Sequence, residues 1–333
     1  MSEARAFWVV APGRGEIRAE TLRAPHPGEA VVETLATGIS RGTESLVFSG
    51  RVPESQHAAM RCPMQEGAFG FPVKYGYSAV GLVREGPDAL LGRRVFCLAP
   101  HQTRFLAPAA MLTPVPDRVP TRRAVLAANM ETALNVAWDA AALPGERVLV
   151  VGAGVVGLLA AHLFARIPGV SLTVIDPDGG KRRAADALGL AFAAPEEGPG
   201  DASGDASWDA DLIVHASGTP AGLRFALSHA AFEARIVEAS WFGDREVTLP
   251  LGEAFHSRRL RLVSSQVGHV GGAMRGRRSH AERMALALSL LDDQRLDALL
   301  DGPSAFADLP ETMARLAGAP GVLCHVVLHH PDA

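Results

Sequence analysis

In roughly the first hundred residues the apolar positions fall in short runs of β-forming residues broken by turn residues, predicting strands over 6–10, 17–22, 30–37, 78–84 and 94–98. Strands at that spacing read as a small barrel or sandwich. The pattern changes between residues 120 and 125, where a mostly helical stretch over 122–142 begins, ended by Pro144 and Gly145. Apolar strands then alternate with amphipathic segments. Strands are expected over 148–151, 172–175, 212–216 and 235–239, with helices over 156–167, 181–188 and 221–230 between them. Such alternation predicts a parallel sheet covered on both faces. The segment 196–207, EEGPGDASGDAS, is too polar and glycine-rich to pack and is expected to be a surface loop. Beyond Gly268, helical patterns over 279–291 and 309–316 lead to an apolar strand over 322–328 that needs a sheet to join. The parallel-sheet domain is complete without it, so the economical arrangement returns this strand to the N-terminal β domain. The expected organisation is residues 1–122 completed by 270–333, with 123–269 as the second domain.

Composition narrows the field further. The 333 residues are 48% apolar and 20% charged, far from the make-up of disordered chains. A formal net charge of -4 gives no global field for a polyanion, so no nucleic-acid partner is expected. The basic runs 258–261 and 275–278 are expected to be solvated surface. Three cysteines, Cys62, Cys97 and Cys324, form neither a disulfide framework nor a clustered zinc site, which fits a reducing cytoplasm. Residues 1–22 carry no export-signal pattern. The uncharged stretch 148–165 has the length of a short membrane span, but its three glycines near the start suit a buried strand turning sharply into a helix instead, and no membrane partner is expected.

Those glycines are the strongest chemical signal. In RVLVVGAGVVG, an apolar strand runs into Gly152-x-Gly154-x-x-Gly157 and on into a helix opened by Val155 and Val156. Gly152 permits the tight turn, Gly154 lets backbone approach a pyrophosphate, and Gly157 allows close contact between helix and strand, while the helix N-terminus offers N–H donors. The next strand ends in Asp176, which is 19 residues beyond Gly157 (176 − 157). A carboxylate there accepts from ribose hydroxyls and repels a 2′-phosphate, so NAD is the expected cofactor, although Lys181, Arg182 and Arg183 lie just beyond it.

Further motifs run through nearly the whole chain: Pro27-Gly28-Glu29-Ala30-Val31-Val32, Thr37-Gly38-Ile39-Ser40, Gly76-Tyr77-Ser78-Ala79-Val80-Gly81, Gly92-Arg93-Arg94-Val95 and the closing pattern over 306–328. Together with the glycine fingerprint they resemble the medium-chain dehydrogenase/reductase superfamily. The resemblance implies an α/β fold, a GroES-like β-rich domain plus a Rossmann domain with a doubly wound parallel sheet. Ser40–Glu44, SRGTE, also resembles a motif of the bacteriochlorophyllide dehydrogenase branch. By the same likeness Arg41 contacts the pyrophosphate, Thr132 packs beside the nicotinamide, Lys181 contacts a ribose, Ser217 and Gly218 form the turn under the adenosine half, and His325 lies near the phosphates or faces solvent. Relatives are commonly dimers or tetramers, so a homodimer or homotetramer is expected.

Where zinc members of the superfamily hold a catalytic metal, motif matching finds Ser40, Tyr77, Ser78 and Ala128, and the four-cysteine structural lobe is missing. Zinc sites of this kind are built from thiolate, imidazole and carboxylate. A metal-free member is therefore expected, in which a hydrogen-bond donor polarises the substrate oxygen during hydride transfer. The only two tyrosines, Tyr75 and Tyr77, fall at the metal-binding motif. Tyr77 is the expected acid or base, with Ser40 or Ser78 assisting and Lys74 favouring the phenolate; Glu44, Glu131 and Asn129 are further candidates for proton handling. The expected function is a zinc-independent NAD(H)-dependent oxidoreductase interconverting an alcohol and a carbonyl of a small-molecule substrate. Two other readings stand beside it, an NAD(P)H-dependent quinone or enone reductase and a non-catalytic NAD(H)-binding regulator.

Overall fold

The computed structural model describes residues 2–197, 209–317, 319 and 321–330; most of the expected polar loop, 198–207, lies outside them. The chain divides into two compact units, one formed by 1–128 with 284–333 and the other by 129–283.

The first unit is built on antiparallel strands. Its strands are β1 (Ser2–Ala11), β2 (Arg14–Leu22), β3 (Glu29–Ser40), β4 (Glu66–Gly67), β5 (Val73–Lys74), β6 (Ala79–Glu85), β7 (Arg94–Cys97), β8 (Arg104–Pro108) and β9 (Thr113–Pro114). They form a four-stranded sheet in the order β2-β1-β5-β4 and part of a seven-stranded sheet centred on β3 and β6. On β3 alternate residues such as Ala30 and Val32 enter a core shared with Val83, Val95 and Phe105. Helices α1 (Arg41–Phe48) and α2 (Thr121–Ala124) follow, and α3 (Ala127–Ala140) leads into the second unit. The single helix expected over 122–142 is thus two, broken at Val125 and Leu126.

The second unit carries β10 (Arg147–Val151), β11 (Ser171–Ile175), β12 (Ala191–Ala193), β13 (Ala210–His215), β14 (Ala230–Glu238) and β15 (Arg261–Ser264), with α4 (Val155–Phe164), α5 (Arg182–Ala187) and α6 (Pro220–Ser228) between them. All pairings are parallel, in the order β12-β11-β10-β13-β14-β15. Counted from β10 this is the 3-2-1-4-5-6 order of a doubly wound sheet, which reverses direction between β10 and β13 and opens a crevice at their carboxyl ends. The near-continuous apolar character of β10 and β13 follows from burial on both faces. Arg283, on α7 (His280–Ser289), is fully buried and donates to Glu131 (3.0 Å), to Asn135 (2.6 Å) and to the Val267 and His269 carbonyls, tying α3 to the segment before α7.

The chain then returns to the first unit through β16 (Leu300–Ala305), α8 (Leu309–Leu316) and β17 (Cys324–Leu328). Strand β17 pairs antiparallel with β3 and parallel with β16, so the seven-stranded sheet draws on both ends of the sequence.

Candidate functional site

At the switch point of the parallel sheet, Gly152 has φ +113°, and a Cβ on it would lie 2.6 Å from the Ser217 nitrogen. A side chain is excluded on both counts. A Cβ on Gly157 would meet the Gly152 carbonyl at 1.9 Å, so helix α4 reaches the end of β10 only because that position is bare. At Gly154 a Cβ would meet nothing within 4 Å, leaving an open face, and no side chain caps the first turn of α4 at Val155 and Val156. Open backbone, uncapped N–H groups and the positive end of a ten-residue helix together fit a diphosphate.

Asp176 lies buried at the end of β11. Its Oδ2 accepts from the Ala153 N–H inside the glycine turn (2.8 Å) and from Lys181 (2.8 Å), and its Oδ1 accepts from the Asp178 N–H (2.9 Å). Oδ1 keeps a lone pair for a ligand hydroxyl. The expected ribose contacts Asp176 and Lys181 are thus a single ion pair. Ser217 lies in the turn directly after β13. Its Oγ bonds His215 Nε2 (2.6 Å), Thr219 Oγ1 (3.0 Å) and the Thr219 N–H (3.3 Å), and His215 Nδ1 meets Glu238 (2.7 Å), so that hydroxyl is committed to shaping the turn after β13. Its backbone, not its side chain, faces the glycine turn. Thr132 sits half-buried on α3.

In the first unit, Ser40 is the N-cap of α1, but its hydroxyl caps nothing in the helix. It reaches Tyr77 instead, whose phenol is hydrogen-bonded to Ser40 and Thr43. The reach back to the helix start is made by Glu44, which accepts the Ser40 N–H at 2.7 Å. Burial first, and then the Glu44 charge, push the Tyr77 phenol well above the ordinary tyrosine value. Glu44 and His101, 2% and 1% exposed, form a buried pair at 2.8 Å, and His101 Nδ1 meets Thr37 Oγ1 at 2.7 Å. His101 carried no spacing signal, since it is 57 residues from Glu44 and 64 from Thr37.

Other expected residues are used differently. Lys74 is 2% exposed and binds Glu20 (2.8 Å), Glu66 and Gln102 (3.3 Å), at the wall of a cavity of about 480 Å³ that neither Tyr77 nor Ser40 lines. The phenolate-stabilising role is corrected by both facts: the ammonium serves carboxylates, and the phenol is raised, not lowered. Ser78 donates to the Val125 carbonyl and Arg41 to the Ala319 carbonyl. Glu131 is the partner of Arg283, with burial raising its carboxyl above the ordinary range. Asn129 is buried at the start of the second unit. His325 is neither on an exposed strand face nor charged: it is buried against Ser304 (3.0 Å), and burial lowers its pKa.

Comparison with protein-family models returns no match. The chain is 27% identical over 282 residues to the 2-desacetyl-2-hydroxyethyl bacteriochlorophyllide A dehydrogenase of Cereibacter sphaeroides, covering 78% of this chain and 81% of that protein. A zinc-binding dehydrogenase of Sinorhizobium meliloti bound to NADP superposes with a TM-score of 0.78 at 16% identity, over 98% of this chain and 100% of that one. An alcohol dehydrogenase of E. coli complexed with NADH gives 0.77 at 17% identity, over the same shares. The fold is that of the zinc-type dehydrogenases, and the sequence is similar to a bacteriochlorophyllide dehydrogenase of the medium-chain dehydrogenase/reductase kind. The chain is an alcohol dehydrogenase-like oxidoreductase, with a GroES-like β domain and a Rossmann domain.

In this chain the donors for a catalytic zinc are a poor fit. The matched positions offer two serines, a phenol and an alanine, of which the Ser78 hydroxyl is already spent. Among the described residues no group of three or more His, Cys, Asp or Glu side chains could hold a metal ion. Nor is any helix among them long and apolar enough to cross a membrane. In the basic run at 258–261 Arg259 and Arg261 are exposed, Arg258 is half-buried and Leu260 buried, and the run is partly neutralised, Arg258 by Asp209 (2.9 Å) and Arg259 by Glu233 (2.9 Å).

Proposed function

We propose that the chain is an NAD(H)-dependent dehydrogenase that interconverts an alcohol and a carbonyl without zinc, the Tyr77–Ser40 hydroxyl pair holding the substrate oxygen. The observation that carries this reading is the pairing of Tyr77 with Ser40 at positions where zinc relatives place ligands. A nicotinamide cofactor supplies or removes the hydride. The glycine turn and the first turn of α4 would hold its diphosphate, and Asp176 a ribose hydroxyl. As charge develops on the carbonyl oxygen, a neutral phenol donates to it, and Ser40 orients that phenol. The high phenol pKa supports a donor that keeps its proton until the substrate oxygen becomes basic enough to take it.

One observation favours NADP instead: the Lys181 ammonium, 2.8 Å from Asp176, offsets the charge that would repel a 2′-phosphate. Titrating tag-free protein with NADH and with NADPH by fluorescence decides between them, and elemental analysis of the same sample tests for zinc. Turnover is then sought on alcohols and carbonyls, starting with hydroxyalkyl compounds because the Cereibacter relative's named substrate carries a hydroxyethyl group. Tyr77→Phe is expected to lower kcat by about 100-fold or more with NADH affinity unchanged. Unchanged turnover, or stoichiometric zinc, would reject the mechanism.

A further inference from the structure

Behind the Tyr77–Ser40 pair, a line of side chains crosses the first unit: His329, Thr37, His101 and Glu44. The distances are 3.2 Å from His329 Nε2 to Thr37 Oγ1, 2.7 Å from Thr37 Oγ1 to His101 Nδ1, and 2.8 Å from His101 Nε2 to Glu44 Oε2. The hydrogens on this line can be assigned from its outer end. His329 Nδ1 is buried with no partner among the described residues. An orphaned acceptor is tolerated far better than an orphaned N–H, so the His329 proton sits on Nε2 and is donated to Thr37. Thr37 has one hydrogen, which therefore goes to His101 Nδ1. That leaves the His101 hydrogen on Nε2, facing Glu44, whose carboxylate can only accept. Every donor on the line points inward.

We infer that His329, Thr37, His101 and Glu44 are a directional proton relay that resupplies the Tyr77–Ser40 pair, with Glu44 as its inner end; this rests on the role proposed above for Tyr77. Glu44 lies in the first turn of α1, directly after Thr43 and bonded to the Ser40 N–H, so both hydroxyl partners of Tyr77 adjoin it. In carbonyl reduction the hydride goes to the carbonyl carbon and the phenol proton to its oxygen. The phenolate recovers a proton through Glu44, which takes the Nε2 proton of His101. His101 Nδ1 takes the Thr37 proton and Thr37 takes the His329 Nε2 proton; His329 Nδ1, buried at rest, must then be reached by a water to take one in turn, so that one proton enters and no charge is left behind. The reduction leaves both rings with their hydrogen on Nδ1; alcohol oxidation runs the line in reverse from that state, and a second reduction needs both rings to return to the Nε2–H form. His329 suits the outer end, being half-buried beside exposed His330. Its pKa is held well below the ordinary histidine value, by burial foremost and then by His101, His330 and Arg5, so it waits as the neutral ring. Glu44 in turn faces His101, Cys62, Tyr75, Tyr77 and Cys324. These residues are positioning groups, since none is assigned contact with substrate.

Long-range proton–nitrogen spectra of the full chain carrying 15N-histidine, assigned with His101→Phe and His329→Phe, read the tautomers without any substrate. At pH 7 both rings are expected to be neutral with the hydrogen on Nε2. A hydrogen on Nδ1 of His101 in the resting protein, or an imidazolium there, would overturn the relay. Thr37→Val cuts the line with little change of volume, and is expected to slow turnover on the order of 100-fold and to raise the solvent deuterium isotope effect, with NADH affinity intact. Thr37→Ser restores the hydroxyl and should restore both. A Thr37→Val enzyme as fast as the parent would count against the proposal. Failure of the unmutated chain to take up NADH would sink the coenzyme reading instead, and the tautomers would still decide the relay.

Discussion

Lys74 shows how a side chain near a reactive one in sequence can belong to a different part of the molecule. It precedes Tyr77 by three residues, but strand β5 ends at Lys74 and the chain turns through Gly76, whose φ is +134°, before it reaches the phenol. The ammonium therefore meets Glu20 and Glu66 while the phenol meets Ser40 and Thr43. Removing one member of a buried ion pair leaves the other uncompensated, at a cost that falls when the survivor reaches water. Glu20 and Glu66 are 20% and 59% exposed, so Lys74→Met is expected to cost about 1–3 kcal/mol in urea unfolding, below the penalty for a fully buried pair. NADH affinity and kcat should stay within twofold; a large loss of kcat at unchanged stability would return Lys74 to the chemistry. Legibility at this scale followed sequence distance. The glycines and Asp176 declare themselves through one continuous motif, whereas the Glu44–His101 pair joins residues 57 apart and has no spacing to read.

Among the elements, the long buried ones were readable and the short or exposed ones were not. The strand expected over 148–151 is β10 and the helix expected over 309–316 is α8, because sustained apolar periodicity marks both. Strand β15 was hidden in a basic run: all four of its residues are exposed at the sheet edge, so no alternation betrays it. Helix α1 opens with Arg41, Gly42 and Thr43, of which the last two are weak helix formers, and it is held by the Glu44 reach to Ser40 and by packing. The parallel sheet also carries a pH signature. Glu146, just before β10, is bonded twice by Arg235 of β14 (2.6 and 2.8 Å). Burial opposes its ionisation, but Arg235 and the Leu143 N–H outweigh burial and leave the carboxyl below its ordinary value. Arg147 does the same to Asp211, chiefly through its side-chain bond. A carboxyl with a depressed folded pKa stabilises the fold above its unfolded value and loses that contribution as pH falls through the folded one. Stability should therefore drop from about pH 4 downward. Arg235→Met is expected to cost about 1–3 kcal/mol at pH 7 and to show a shallower decline below pH 4 in urea titrations; an identical pH slope would show that Glu146 is not its source.

For the whole molecule, coenzyme binding and acid–base chemistry are assigned to different compact units, and this division is open to a thermodynamic test. The glycine turn and Asp176 belong to residues 129–283, whereas Tyr77, Ser40, Glu44, His101 and His329 belong to the other unit. A ligand that binds only the folded state stabilises it by mass action, by about 2.7 kcal/mol at one hundred times its Kd. NADH at that excess should raise the unfolding free energy by this amount in the parent chain and equally in Tyr77→Phe and Thr37→Val. Gly157→Ala should lose the increment, since its Cβ would meet the Gly152 carbonyl at 1.9 Å and force α4 away from β10. If Gly157→Ala kept the full NADH increment, the diphosphate would have to lie somewhere other than the glycine turn. If Tyr77→Phe lost it, the phenol would be a coenzyme-binding group and not the donor to the substrate oxygen.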